Sequence, residues 1–177
     1  LPITANAGPN QIVCKSSPTA TLNGAVTSAT SAIWSGGSGT ITPSSTSYTI
    51  NYIPTATEVA TGSVTLYFTT TGNYGCPPDQ DTVVIIFQNV AITSVMPSST
   101  VCANNSVINI SGSVSGFSNT GVWSTSGSGT FGSTTNLNTT YTPSGADITA
   151  GTVTITLTST NNGACPPATA TLVINIT

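Results

Sequence analysis

Apolar residues alternate with serine and threonine along most of this chain, in short stretches separated by clusters of glycine, proline, asparagine and serine. In Ser63–Thr69, for example, Val64, Leu66 and Phe68 all fall on one face of an extended backbone. Alternation with a period of two is typical of half-buried β-strands. The pattern predicts strands in the first half of the chain near residues 2–5, 10–14, 19–26, 31–35, 39–42, 47–53, 62–70 and 81–88.

Two short helical turns interrupt the predicted strands. In each, a proline is followed by Ser or Thr with an acid three residues later: Thr55 with Glu58, and Ser144 with Asp147. This spacing fits the capping box, in which the hydroxyl and the carboxylate satisfy backbone N–H groups at the start of a helix. We therefore predict that these four residues are helix caps and that both acids have a structural role.

An internal repeat divides the chain in two. A shift of 88 to 90 residues superimposes its rarest residues, which predicts two copies of one module, 1–88 and 89–177, with the boundary near Gln88 and Asn89. The two modules fill the chain, as expected for a unit of a longer array. The matched positions are Cys14 with Cys102, Trp34 with Trp123, Tyr52 with Tyr141, and Cys76-Pro77-Pro78 with Cys165-Pro166-Pro167.

The number of strands indicates the fold class. About seven short strands in roughly 90 residues are typical of an immunoglobulin-like sandwich of two antiparallel sheets. We predict an all-β protein of two tandem immunoglobulin-like antiparallel β-sandwich modules, with Trp34, Trp123, Tyr52 and Tyr141 in the cores. The alternative for the tryptophans is an exposed platform that stacks on a sugar ring. Because Val83–Val95 contains no Gly/Ser-rich or Pro-rich linker, we expect a stiff, elongated rod.

Each module has two cysteines, at matching positions, which indicates disulfide formation in an oxidising compartment. The expected pairing is one disulfide per module, Cys14 with Cys76 and Cys102 with Cys165. The alternative is a bond between the modules from Cys76 to Cys102, which leaves Cys14 and Cys165 to pair with neighbouring copies. Metal binding is not expected, because zinc sites need four close Cys or His ligands and the chain has no histidine.

Charged residues are scarce and limit the possible partners. They make up 3% of the chain, Lys15 is the single base, and the net charge is −3. Binding to nucleic acid or to an anionic membrane surface depends on several basic residues, so neither is expected. No apolar run approaches the ~20 residues of a spanning helix, so membrane insertion is not expected either.

The residues that catalysis needs are missing from the sequence. General acid–base and nucleophilic catalysis both need a suitable base, most often histidine. Asp79 and Asp81 form the one close pair of carboxylates, the kind of pair that a glycosidase uses. The second module has Ala168 and Ala170 at the matching positions, so the repeat does not depend on this pair. Two carboxylates are also few for calcium, which collects about six to eight oxygens. We expect no enzyme activity and no cofactor.

A distinctive set of motifs comprises Asn6-Ala7-Gly8-Pro9-Asn10-Gln11, Val13-Cys14, Leu22-Asn23-Gly24, Trp34-Ser35-Gly36-Gly37, Tyr52 with Pro54, and Gly62 with Val64 and Leu66. These motifs resemble the tandem modules of giant surface and gliding adhesins secreted by Bacteroidetes. The resemblance covers both modules, although Ser94-Val95-Met96-Pro97-Ser98-Ser99 replaces the Ala-Gly-Pro-Asn segment in the second. It implies export, an extracellular or cell-surface location, an immunoglobulin-like fold and a role in adhesion or as a spacer, and it supplies no catalytic residues.

Short acceptor patterns make glycosylation a further expectation. The motif Asp81-Thr82-Val83 fits the Asp-Thr-aliphatic pattern of Bacteroidetes O-glycosylation, with Thr82 as the acceptor. The Asn-x-Ser/Thr pattern of N-glycosylation occurs at Asn104, Asn109, Asn138 and Asn175.

These observations predict a structural or adhesive repeat unit of a bacterial extracellular surface protein or filament, a rigid spacer without catalysis. The expected partners are neighbouring copies of the same module and surface glycans. The alternative function is a carbohydrate-binding module of a secreted enzyme.

Overall fold

A computed structural model describes residues 1–105 and 107–177 of the chain. They form two compact units, Leu1–Gln88 and Asn89–Thr177, and this boundary is the one that the internal repeat predicts. In the described residues, no helix is long and apolar enough to cross a membrane.

The first unit is a β-sandwich with one short helix. One sheet has the strand order β2-β9-β8-β5, and the other layer comprises the three strands β3-β7-β6 and the pair β1-β4. All pairs are antiparallel except β2 and β9, which run parallel. In chain order the elements are β1 (Thr4–Asn6), β2 (Gln11–Cys14), β3 (Ala20–Asn23), β4 (Ala25–Thr27), β5 (Ser31–Ser35), β6 (Thr40–Thr42), β7 (Thr49–Ile53), α1 (Ala56–Thr61), β8 (Ser63–Thr71) and β9 (Gln80–Gln88).

The second unit repeats this topology. Its sheets have the orders β11-β17-β16-β13 and β10-β12-β15-β14, and β11 runs parallel to β17 as β2 does to β9. Its elements are β10 (Ala91–Val95), β11 (Ser99–Val101), a 3₁₀ turn (Ala103–Asn105), β12 (Ile108–Gly116), β13 (Thr120–Thr125), β14 (Thr130–Phe131), β15 (Asn138–Thr142), α2 (Gly145–Ala150), β16 (Thr152–Thr160) and β17 (Thr169–Ile176).

A glycine marks the place where one strand changes partners. The predicted strand 19–26 is two strands, β3 and β4, which meet at Gly24 and pair with β7 and β1 respectively. A Cβ atom on Gly24 would lie 2.5 Å from the Phe68 ring, so any side chain here would require the ring or the backbone to shift. In the second unit the equivalent Gly112 lies inside the continuous strand β12.

Each unit has its own hydrophobic core between its sheets. The burial pattern of strand β8 shows how alternation builds this core. Val64, Leu66, Phe68 and Thr70 are buried, while most of the residues between them are exposed. Full burial of one large apolar side chain contributes about 1.5–3 kcal/mol. Trp34, Tyr52, Trp123 and Tyr141 are all core residues, each at most 2% exposed, so the core assignment made from the sequence is confirmed.

Candidate functional sites at the ends of each unit

In both units a strand near the beginning pairs in parallel with the last strand. Gln11 lies opposite Ile85 and Cys14 opposite Gln88, and the Lys15 N–H extends the ladder by donating to the Gln88 carbonyl at 2.9 Å. In the second unit, Ser99–Val101 pairs with Ile174–Ile176, and the Ala103 N–H donates to the Thr177 carbonyl at 2.8 Å. Each unit therefore ends beside the strand that follows its first turn.

The parallel pairing places the two cysteines of the first unit at opposite ends of the sheet. Cys14 lies beside Gln88, where β9 ends, whereas Cys76 precedes Gln80, where β9 begins. A nine-residue strand is about 26 Å long. Since a disulfide requires Cα atoms within about 7 Å, the predicted Cys14–Cys76 bond is wrong.

The second unit has the same separation. Cys102 follows Val101, which lies opposite Ile176 near the end of β17. Cys165 lies before β17, in a turn that its own N–H closes by donating to the Asn162 carbonyl at 3.0 Å, and its sulfur is 3.5 Å from the Asn89 carbonyl oxygen. The eight residues of β17 separate the two cysteines, so the predicted Cys102–Cys165 bond is wrong for the same reason.

Cysteines at matching positions of the two units differ in oxidation state. Cys14 and Cys165 are disulfide-bonded, whereas Cys76 and Cys102 carry free, exposed thiols. The expectation of one disulfide inside each module and the alternative Cys76–Cys102 bond are both overturned. One member of each matched cysteine pair is oxidised and the other is free.

Both predicted capping boxes form, and each is joined to a core tyrosine. Thr55 is the N-cap of α1, and the Glu58 carboxylate accepts hydrogen bonds from the Thr55 N–H at 2.8 Å and from the Ser38 N–H and the Tyr52 hydroxyl at 2.7 Å each. Burial by itself would raise the pKa of Glu58, but these hydrogen bonds outweigh it and lower the pKa from 4.5 to about 2. Burial and the bond to Glu58 raise the pKa of Tyr52 to about 12.

The second unit repeats this cluster. Ser144 is the N-cap of α2, and Asp147 accepts from the Tyr141 hydroxyl at 2.8 Å, the Ser144 N–H at 2.9 Å and the Ser128 N–H at 3.1 Å. Burial opposes ionisation, but the hydrogen bonds from Ser144, Ser128 and Tyr141 lower the pKa of Asp147. Each acid thus joins the tyrosine, the helix start and the preceding Gly/Ser turn, which is a structural role.

The tryptophans do not offer a platform for sugars. Trp34 is 1% exposed and packs against Phe68 with ring centroids 4.5 Å apart. Trp123 is 2% exposed, and its Nε1–H donates to the Asn136 carbonyl at 3.0 Å. A stacking platform must present its ring face to solvent, so the exposed alternative for these two residues is wrong.

The aspartate pair of the first module holds the N-terminal segment. Asp79 accepts a hydrogen bond from the Ala5 N–H and Asp81 accepts one from the Ala7 N–H, each at 2.8 Å. These two hydrogen bonds give both carboxylates a structural role that needs no metal. No group of three or more metal-ligating side chains was found in the described residues.

The candidate glycosylation residues all lie on the surface. Thr82, Asn104, Asn109, Asn138 and Asn175 are exposed, although Ser106 of the Asn104 motif lies outside the described residues. Exposure makes these acceptors accessible, and glycosylation itself stays a prediction.

The comparisons with known proteins concern the fold. No family model and no curated protein matches the chain. The I-band fragment I67-I69 from titin is similar with a TM-score of 0.55 and 13% identity, over 99% of this chain and 66% of that structure. Sidekick-1 immunoglobulin domains 1-4 are similar with a TM-score of 0.53 and 13% identity, over 99% of this chain and 49% of that structure. The chain thus spans about half to two thirds of their length, and its fold is that of tandem immunoglobulin-like β-sandwiches.

Proposed function

We propose that the chain is a load-bearing and adhesive repeat unit of an extracellular bacterial surface protein or filament, with no catalytic activity. The observation that carries this proposal is the parallel pairing of β2 with β9 and of β11 with β17. The neighbouring copies of the module are its partners, and glycans attached at the exposed acceptors cover its surface.

Parallel pairing of these strands suits a unit that is pulled from both ends. Tension draws the start of β2 in one direction and the end of β9 in the other. Because the two strands point the same way, they slide along each other, and the hydrogen bonds between them are loaded together. An antiparallel pair joined by a hairpin would instead open from one end, one bond at a time.

The oxidised cysteines and the scarcity of charge support the location. Disulfides persist in oxidising, extracellular compartments, and Cys14 and Cys165 are bonded. Exposed sheet edges usually carry charges that prevent association, but charged residues are 3% of this chain. Edges without charge suit a protein whose neighbours or glycans cover them. The bacterial setting rests on the adhesin resemblance.

Proline substitution in β2 tests the load-bearing role, with the neighbouring Ile12 as the control for introducing proline into this strand. The Lys15 N–H points at β9, and N–H groups alternate in direction along a strand, so the Val13 N–H also faces β9 while that of Ile12 faces solvent. Val13→Pro removes a bond from the loaded ladder, and Ile12→Pro does not.

Force spectroscopy of the chain with its cysteines reduced measures the effect, because the second unit is an internal reference. Loss of one backbone hydrogen bond costs about 1 kcal/mol, so Val13→Pro is expected to speed the forced unfolding of the first unit roughly fivefold or more. Ile12→Pro is expected to leave the unfolding force close to that of the unmodified chain. Equal unfolding forces for Val13→Pro and the unmodified chain would overturn the proposal.

A further inference from the structure

Two exposed thiols occupy repeat positions whose counterparts are oxidised. Cys76 matches Cys165, and Cys102 matches Cys14. Cys165 and Cys14 are disulfide-bonded, whereas Cys76 and Cys102 are free. The repeat therefore contains two kinds of cysteine position, that of Cys14 and Cys102 and that of Cys76 and Cys165. At each kind of position, one cysteine is oxidised and the other has a free thiol.

The backbone presents each free thiol as it presents the oxidised counterpart. The Cys76 N–H closes a turn on the Asn73 carbonyl at 3.0 Å, and the Cys165 N–H closes the same turn on Asn162 at 3.0 Å. Two prolines follow both cysteines. This cysteine position is thus built in the same way in the two units.

The second kind of position is conserved between the units as well. Lys15, the residue after Cys14, donates its N–H to the last residue of the first unit, and Ala103, after Cys102, donates its N–H to Thr177. Cys102 is thereby held beside the end of the second unit, as Cys14 is beside the end of the first.

The two free thiols have no partner within their own units. Each lies a whole strand away from the other cysteine of its unit, which is also already oxidised. Cys76 lies near Asp79, which binds the Ala5 N–H close to the beginning of the first unit. One thiol is therefore displayed near the start of the chain and the other near its end.

We propose that Cys102 of one copy forms a disulfide with Cys76 of a second copy, so that copies join head to tail into a covalent chain. This inference rests on the proposed function as a repeat unit. It uses the same two kinds of cysteine position that are oxidised inside the chain.

The bond forms by thiol–disulfide exchange with a small-molecule or protein disulfide as the oxidant. The thiolate of one cysteine attacks a sulfur of the oxidant and releases one thiol, which gives a mixed disulfide. The thiolate of the other cysteine then displaces the second oxidant thiol. Two cysteine thiols lose two protons and two electrons, and the oxidant disulfide becomes two thiols.

Single serine variants test whether the pairing is specific. Cys76→Ser retains only the free thiol of Cys102, and Cys102→Ser retains only that of Cys76. Unlabelled Cys76→Ser is mixed with ¹⁵N-labelled Cys102→Ser in a buffer of oxidised and reduced glutathione, and the dimers are weighed by mass spectrometry without reduction. Both side chains are exposed, so neither change disturbs a core.

The proposal predicts that nearly all dimers contain one labelled and one unlabelled chain, whereas random pairing of equally reactive thiols gives such mixed dimers in about half of cases. The unmodified chain should form a ladder of dimers, trimers and longer species, and the double variant should stay monomeric. A random mixture of dimers, or no ladder, overturns the inference. The force experiment above uses reduced chains, so it tests the proposed function separately.

Discussion

Replacing Glu58 with glutamine should destabilise the first unit and remove most of its sensitivity to acid. The carboxylate accepts from Tyr52 and Ser38 on one oxygen and from Thr55 on the other. The amide of glutamine has one acceptor oxygen, so its NH₂ group must face donors on one side. At least one buried N–H then lacks an acceptor.

The pKa of Glu58 gives the size of the effect. Its pKa falls from 4.5 to about 2 on folding, and a difference of this size corresponds to roughly 3 kcal/mol. Because the folded-state pKa is the lower one, this stability is fully present above about pH 4.5 and is lost as the pH falls to about 2. Burial and the same hydrogen bond raise the pKa of Tyr52, so the bond to Glu58 is not counted a second time.

Urea unfolding at a series of pH values measures this contribution, with tryptophan fluorescence as the probe. Each unit contains one tryptophan, so Trp123→Phe leaves Trp34 as the reporter of the first unit. Between pH 7 and pH 2 the free energy of unfolding of this unit should fall by roughly 3 kcal/mol more than it does in Glu58→Gln. Asp147→Asn is the matched control, because it alters the equivalent cluster in the other unit.

Two results would refute the reasoning. One is a Glu58→Gln unit as stable as the parent at pH 7, since the hydrogen bonds would then contribute nothing. The other is an unchanged pH dependence in Glu58→Gln, since the acid sensitivity would then come from other groups.

Two further substitutions test local features of the fold. Gly24→Ala should destabilise the first unit by about 1–3 kcal/mol, because its Cβ would overlap the Phe68 ring, whereas Gly145→Ala, with open space around it, should change the free energy of unfolding by no more than about 1 kcal/mol; equal effects in urea unfolding would contradict the close approach. Asp79→Ala should speed hydrogen exchange at the Ala5 amide and Asp79→Asn, which keeps an acceptor, should restore its protection; unchanged exchange in Asp79→Ala would show that this contact does not hold the segment.

Features set by local sequence could be predicted well. The alternation in Ser63–Thr69 predicts a strand with Val64, Leu66 and Phe68 inside, and β8 has this arrangement. The capping boxes were recognisable because their residues lie three apart in sequence. The repeat also predicts the unit boundary, since the rare residues match at shifts confined to 88 to 90 residues.

Features that depend on strand direction or on contacts between separate elements could not be predicted. The cysteine pairing requires knowing that β2 runs parallel to β9, and no local pattern distinguishes parallel from antiparallel pairing of a four-residue strand. The close approach of the Gly24 backbone to the Phe68 ring joins residues far apart along the chain, so the sequence around Gly24 does not show it. The bond from Tyr52 to Glu58 likewise joins a strand to a helix cap, and only the folded chain shows it.

Mapping of the thiols in the monomeric chain tests the central claim most directly, namely that each unit carries its two cysteines at opposite ends of a parallel strand pair. The unreduced protein is alkylated, digested and analysed by mass spectrometry. The account predicts that Cys76 and Cys102 are alkylated at once and that Cys14 and Cys165 react only after reduction. A peptide in which Cys14 is linked to Cys76, or Cys102 to Cys165, would contradict it.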